Sequence, residues 1–325
     1  MNTKERILEL LESSRGCVIS GEYMAERINV TRSAVWKAIK ELEKDGYMIK
    51  AATNRGYSLS EDSDILSVQG MLPFLSRKES AESIFIHRSL ESTNKTAKEM
   101  ALSGSSHGTA IFADSQTGGR GRHGRAFFSP PGHGIYMSLI LHPMQMRFET
   151  PTIVTAFAAV SVCEAIESVS TKKAGIKWVN DVFIDGKKVC GILTEAVTQI
   201  ESGSIQWIVV GIGINFKKPE AGFPEDIRHI AGSVFMDGKP SVTRNRLAAE
   251  IVNRIATPEA THDSADILGR YKSHMFILGK RITVHAADEP YEAMAVDIDN
   301  IGRLIVRKDD GETLALSAWE VSVRW

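Results

Sequence analysis

The stretch Lys177-Trp178-Val179-Asn180-Asp181-Val182-Phe183-Ile184-Asp185-Gly186-Lys187-Lys188-Val189-Cys190-Gly191-Ile192-Leu193 decides how the middle of the chain is built. Asp-Gly between apolar runs is a hairpin signal, because the turn needs left-handed backbone that aspartate tolerates and glycine adopts freely. Val182–Ile184 and Lys188–Ala196 are therefore expected to be antiparallel neighbours, and Ile176–Trp178 and Ile205–Ile214 extend them to four strands of a mostly antiparallel sheet. Strand alternation sends Lys188, Cys190 and Ile192 to one face, pointing Lys188 inward among apolar neighbours and Lys187 to solvent. A lysine so placed needs an anionic partner. The plainer reading is that both lysines flank an exposed turn.

Working outward, Ile84–Ser89, Thr109–Asp114 and Gly134–Leu141 read as further strands and Asn94–Leu102 as a helix, so the region is mixed α/β. Pro151–Val169 is a long Ala- and Val-rich helix with proline in its first turn, expected to pack across the sheet. Helices follow at Arg244–Ile255 and around Ala265–Tyr271. The last fifty residues switch to short strands separated by Gly279, Asp288-Glu289-Pro290, Asn300-Ile301-Gly302 and Asp309-Asp310-Gly311, which predicts a small β-barrel.

The first sixty residues form a pattern of their own. A helix over Thr3–Ser13 carries an apolar face of Ile7, Leu8, Leu10 and Leu11, and Ser20 is placed to cap a short second helix ending at Ile28. A third helix follows Asn29-Val30-Thr31 and stops at Gly46, with Val35, Ala38, Ile39 and Leu42 on one face and Arg32, Ser33, Lys37 and Lys40 on the other. Tyr47–Leu59 then reads as a hairpin turning at Thr53-Asn54-Arg55-Gly56. Three helices and a hairpin suggest a winged helix-turn-helix; a three-helix interaction domain with a solvated basic face is the alternative. Thr31, Arg32, Ser33, Lys37, Lys40 and Arg55 are the candidate DNA contacts. This segment carries ten Lys and Arg against eight Asp and Glu, a modest +2 that a dimer would double. The polar stretch Glu61-Asp62-Ser63-Asp64 suits a linker, so the domains are expected at 1–63, 64–274 and 275–325.

The chain has 325 residues, 43% hydrophobic and 24% charged, which is ordinary for globular protein and ample for several cores. A net charge of −1 means that any nucleic-acid contact must come from a local patch. Cys17, Cys163 and Cys190 have no paired spacing, so neither a disulfide framework nor a metal site is expected, and a reducing cytoplasm fits. The N-terminus lacks an apolar signal core, and no apolar run is expected to span a bilayer.

Chemistry concentrates in Thr117-Gly118-Gly119-Arg120-Gly121-Arg122-His123-Gly124-Arg125. Its glycines let backbone approach a ligand closely, and its arginines offer permanent charge and forked donors to phosphate or carboxylate. An anion-binding loop, ordered when its charges are neutralised, is one reading; an RNA-binding arginine-glycine tract is the other. Just upstream, Gln116 is a donor and acceptor suited to a urea or amide, although a lone glutamine at a strand end is usually solvated. Glu91-Ser92-Thr93-Asn94 enters a helix, where hydroxyls and free N–H groups can converge on a ligand or simply cap. Gly211-Ile212-Gly213-Ile214-Asn215 places two glycines in a strand, which marks a bulge or a close backbone approach; without a third glycine and a following helix it is not a dinucleotide fingerprint.

Together, Glu91-Ser92-Thr93-Asn94, Gln116, Gly119–Arg125, Lys177–Asp181, Lys187–Leu193 and Gly211–Asn215 resemble the biotin protein ligases in order and spacing, over essentially the whole chain. The N-terminal helix-turn-helix resembles that of the members that also repress transcription. The resemblance implies an α+β chain with a winged helix-turn-helix, a central mixed α/β catalytic domain and a small SH3-like C-terminal barrel. It implies biotin and ATP as substrates, with Mg2+ accompanying ATP, biotinyl-5′-AMP as the intermediate, and transfer to a lysine of a biotin carboxyl carrier domain of a biotin-dependent carboxylase. Operator DNA and a homodimer promoted by the adenylate are the further implied partners. Carried across, Ser92, Thr93, Asn94, Gln116, Arg120, Gly121, Arg122 and Lys188 would hold biotin. Lys188, Arg120 and Arg122 would be catalytic, and Arg122, Asn180 and Asn215 would meet the nucleotide. Two departures are visible: Val179 stands where relatives often have proline, and Phe127-Phe128 where some have tryptophan. A regulator without ligase activity, or a ligase for lipoate or another carboxylate, is the competing reading.

Overall fold

The computed structural model describes residues 1–325 apart from 54, 144–149, 199–203, 237–239, 257–262, 286–288, 318–321 and 325. Asn54 of the expected hairpin turn and Asp288 of the Asp288-Glu289-Pro290 turn lie outside the described residues. Contacts divide the chain into two compact units: Met1–Ile86 with Val242–Glu250, and His87–Ser241 with Ile251–Trp325. Residues 64–86 thus group with the N-terminal helices, and the C-terminal strands group with the central sheet.

In the first unit, α1 (Thr3–Ser13), α2 (Gly21–Ile28) and α3 (Arg32–Lys44) start where their caps dictate. Asn2 and Glu5 make a reciprocal capping box, Ser20 accepts from Tyr23 N at 3.0 Å, and Thr31 accepts from Ala34 N at 3.2 Å. Such caps contribute about 1 kcal/mol each. Burial contributes more: Ile7, Leu11, Met24, Val35, Ile39 and Leu42 close one core, at roughly 1.5–3 kcal/mol per side chain. The wing is β1 (Ile49–Ala52) paired antiparallel with β2 (Gly56–Leu59). Gly56 has φ +130°, and a Cβ there would lie 1.9 Å from Ile19 O, so only glycine fits. A short helix α4 (Val68–Met71) follows. Its approach is pinned by buried polar groups: Asp64 receives Arg244 N at 2.8 Å and Arg244 Nε at 3.1 Å, and Asn245 accepts from Ser67 N and donates to Ile65 O.

The second unit is a seven-stranded sheet in the order β3-β4-β5-β9-β8-β7-β6. The strands are β3 (Ile84–Leu90), β4 (Thr109–Gln116), β5 (Gly134–Leu141), β6 (Gly175–Lys177), β7 (Asp181–Ile184), β8 (Lys187–Thr198) and β9 (Ile205–Asn215). The pairs from β4 through β6 are antiparallel, as the hairpin reading requires. Helix α5 (Thr93–Leu102) and α6 (Pro151–Val169) cover it. By length and composition α6 does reach what a membrane crossing needs, contrary to the expectation above, yet it is mostly buried, as a core helix is. α7 (Arg244–Ile255) and α8 (Ser264–His274) follow, and Arg270 of α8 grips Glu164 of α6 with bonds of 2.8 and 2.7 Å. β10 (Arg281–His285), β11 (Tyr291–Ile298), β12 (Leu304–Arg307), β13 (Thr313–Leu316) and β14 (Ser322–Arg324) form the small C-terminal antiparallel sheet, in the order β13-β12-β11-β10-β14.

Candidate active site

A cavity of ≈ 680 Å³ opens on the second unit, and every residue expected at a ligase site lines it: Ser92, Thr93, Asn94 and Gln116 at one end, and Arg120, Gly121, Arg122, Asn180, Lys188 and Asn215 further along. The first group is joined by hydrogen bonds. Ser92 is the N-cap of α5 by position but makes no side-chain capping bond; Gln116 Oε1 takes that place, accepting from Thr93 N at 2.8 Å. Capping by the local hydroxyl, the simpler expectation for this segment, is thus replaced by a contact from β4. Gln116 Nε2 donates to Ser129 Oγ at 3.1 Å, and Ser138 Oγ lies 2.8 Å from Thr93 Oγ1 and 2.6 Å from Asn94 Oδ1. Asn94 Nδ2 reaches Glu195 Oε2 at 2.7 Å, and Lys98 closes on Glu195 at 2.9 Å.

Glycines make room for this net. A Cβ at Gly211 would sit 2.1 Å from Asn94 Oδ1, one at Gly213 would sit 2.6 Å from the Phe127 ring, and Gly119 is hemmed in by Phe127 O and Gln116 Nε2. The β5–β9 register is continuous through Gly211 and Gly213, so they mark no bulge. Side chains, not another backbone, approach them. Phe127 therefore lies on bare strand, with its edge to Tyr136 at 6.4 Å between centroids.

The bulge falls elsewhere. Val182 pairs with Cys190 but Phe183 pairs with Lys188, leaving Val189 as an extra residue in β8. The extra residue shifts the alternation by one: Lys188 shares a face with Gly191, whose Cβ would meet its Nζ at 3.4 Å, while Cys190 is fully buried. On that face Lys188 lies beside the Phe127 ring. It lines the cavity and pairs with Asp181 at 2.7 Å. Lys187 is half-buried and donates to His229 O at 2.7 Å. Burial pushes the Cys190 thiol far up, which leaves it unreactive.

The glycine-arginine loop closes the other end. Gly121 N bonds Arg125 O at 2.7 Å and Phe127 N bonds Gly119 O at 2.9 Å, with His123 left-handed at φ 55°. Arg122 donates to Asn180 Oδ1 at 3.2 Å, and its burial draws the guanidinium below its usual value, opposed by Asp181. Arg120 stays 70% exposed, 3.7 Å from Glu91. Asn180 also bonds Ile192 O, and Asn215 donates to Gly232 O. The preceding Trp178–Val179 peptide is cis. Trp178 Nε1 donates to Gly302 O at 3.0 Å, and Tyr271 OH to Val179 O at 2.9 Å. Arg120, Arg122, Arg125, Lys177 and Lys188 face Asp181, the single lining carboxylate among the described residues, a balance suited to a polyanion. Among the described residues no three His, Cys, Asp or Glu are grouped to hold a metal.

No sequence pattern gives a role to Ser138, Ser129 or Glu195: strand pairing brings Ser138 and Glu195 to the site, and the loop before β5 brings Ser129. Asp181 was legible in principle, since a lysine predicted to face inward called for an acid and Asp181 lies on the same hairpin. In the first unit, Arg32, Ser33, Lys37, Lys40 and Arg55 are exposed; Lys40 is held by Glu43 at 2.7 Å, and the Thr31 hydroxyl is occupied in capping α3.

Family models match in the same order as the folded parts: an HTH domain at residues 3–58, the biotin/lipoate A/B protein ligase family at 86–215, and the biotin protein ligase C-terminal domain at 277–324. The bifunctional ligase/repressor BirA of Bacillus subtilis is 32% identical over 95% of both chains, and its Escherichia coli counterpart is 24% identical over 89% of this chain and 88% of that one. The structure of the biotin protein ligase from Aquifex aeolicus in complex with biotin and ATP is 27% identical, covers 74% of this chain and 98% of that one, and superposes with a TM-score of 0.62. With that cavity and a winged helix on one polypeptide, the chain belongs to the biotin protein ligase family, in its bifunctional ligase/repressor branch.

Proposed function

We propose that the chain activates biotin with ATP to biotinyl-5′-AMP, releasing pyrophosphate, and passes the biotinyl group to a lysine of a biotin carboxyl carrier domain of a biotin-dependent carboxylase. The observation that carries this reading is the joining, in one cavity, of the Thr93–Gln116–Ser138–Asn94 net to a cationic end bearing Lys188 and Arg122. The net offers paired donors and acceptors to a ureido ring; Lys188 and the arginines offer charge to a carboxylate and an α-phosphate. The biotin carboxylate oxygen attacks the α-phosphorus, the bond to pyrophosphate breaks, and no protein nucleophile is needed. Ser92, Thr93, Asn94, Gln116, Arg120, Gly121, Arg122 and Lys188 serve biotin, and Arg122, Asn180 and Asn215 the nucleotide. Lys188, Arg120 and Arg122 stabilise the developing charge. Magnesium would accompany ATP and help neutralise its phosphates; Asp181, the only carboxylate lining the cavity among the described residues, is paired with Lys188.

The loop Gly118–Arg125 acts as a lid that orders over the adenylate and excludes water from a hydrolysable anhydride. The adenylate-bound form dimerises and places two winged helices on an operator in the cytoplasm, with 1–63 as the DNA-binding module, 64–274 as the catalytic domain and 275–325 as the small barrel. Incubation with biotin, ATP, magnesium and a carrier domain should raise the carrier's mass by one biotinyl group; lipoate in place of biotin should give none. A gel shift on operator DNA should need biotin and ATP together.

A further inference from the structure

The exposed side of α3 runs Arg32, Ser33, Trp36, Lys37, Lys40, opposite the buried Val35, Ala38, Ile39 and Leu42. Its centre is apolar: Trp36 is 53% exposed. The core of the unit is complete without it, and the helix is already capped by Thr31. Among the described residues no ion pair holds Arg32, Lys37 or Arg55, whereas Lys40 is tied to Glu43. An indole set between unpaired cations, on the third helix of a helix-turn-helix, suits one kind of surface: a polyanion with apolar edges at its base.

Duplex DNA has that character in the major groove, where thymine alone presents a methyl group. Resting on the repressor reading above, we infer that Trp36 reads sequence, its indole seated against a thymine C5-methyl in each half-site while Arg32 and Lys37 hold the flanking phosphates. The division of labour follows from chemistry. Arginine and lysine on phosphates give affinity that is blind to sequence and sensitive to salt, whereas apolar contact with a methyl discriminates bases.

The test uses the full chain with biotin and ATP, and duplexes that it enriches from a randomised library. Each dT of an enriched duplex is replaced singly by dU, which removes only the methyl, and affinity is measured at fixed salt. We expect one or two positions per half-site to weaken binding about tenfold. W36A should bind the dT duplex about tenfold more weakly, be indifferent to dU at those positions, and keep its affinity for random duplex and its ligase activity. R32A should instead weaken all duplexes alike and lower the salt slope by about one. Wild-type indifference to every methyl, or a W36A protein that still distinguishes dT from dU, would overturn the inference. The methyl scan needs no variant, so misfolding of W36A cannot rescue it. Should no duplex be enriched, the repressor reading fails first and this inference with it; an enriched duplex whose methyls are all neutral defeats this inference alone.

Discussion

At one end of the cavity Thr93, Asn94, Gln116 and Ser138 are buried or half-buried and bonded to one another. At the other, Arg120 keeps 70% of its side chain in water, and among the described residues its guanidinium is paired with Glu91 alone, at 3.7 Å. The first end has spent its conformational freedom in folding, so a ligand meets donors and acceptors already aimed. The second holds like charges on a glycine-rich strap, and an entering anion both neutralises and orders it. One end recognises; the other commits.

Lys188→Ala should break this division most severely, because Lys188 stands where the two ends meet. Adenylate formation, followed as pyrophosphate release, should fall about 10²–10³-fold while biotin still binds; wild-type release would remove Lys188 from the chemistry. Gly211→Ala attacks the prebuilt end alone. Its methyl would lie 2.1 Å from Asn94 Oδ1, so the net must open, at a cost of about 1–3 kcal/mol. Calorimetry should find biotin affinity lowered at least about tenfold, with ATP binding kept. Unchanged biotin affinity would mean that the net is packing rather than recognition.

Arg122→Gly should do the reverse, forming the adenylate but releasing it about tenfold faster, as read by labelling of bystander lysines. Retention equal to wild type would end the lid assignment. The smallest effect is expected from Glu91→Gln. It loosens Arg120 in an exposed pair, so Tm should not move, but trypsin should cut faster at Arg120, Arg122 and Arg125 in the absence of ligand. Biotin with ATP should suppress the cuts, and cleavage indifferent to both substitution and ligand would show the strap to be ordered without them.

Local features were read closely from sequence. Thr3–Ser13, the Ser20 cap, the Asp185-Gly186 hairpin and Pro151–Val169 all appear where periodicity and turn chemistry put them, since each is decided by neighbours within a few residues. The polar site residues were singled out mainly through the resemblance to the biotin protein ligases, since local chemistry alone left capping, solvation or an exposed turn as equal readings for Ser92, Gln116 and Lys188. What failed was phase and distance. One extra residue at Val189 turned Lys188 onto the Gly191 face, and a strict alternation cannot foresee a bulge. Ser138, Glu195 and the Asp64–Arg244 clasp depend on partners 44 to 180 residues away in the chain, which no local pattern encodes.

The bond from Trp178 Nε1 to Gly302 O bears on how freely such chains can be recombined. Trp178 lines the cavity and precedes Asn180 and Asp181, while Gly302 belongs to the turn between β11 and β12, held by Asp299 through the backbone N–H groups of Ile301 and Arg303. From the C-terminal strands, that turn braces a residue of the cavity wall. A chimera that keeps this barrel's strands but borrows another turn should fold and yet catalyse poorly, whereas grafting Asp299–Arg303 with the barrel should restore it. For exchange between relatives, the natural seam lies inside the barrel and not at its edge.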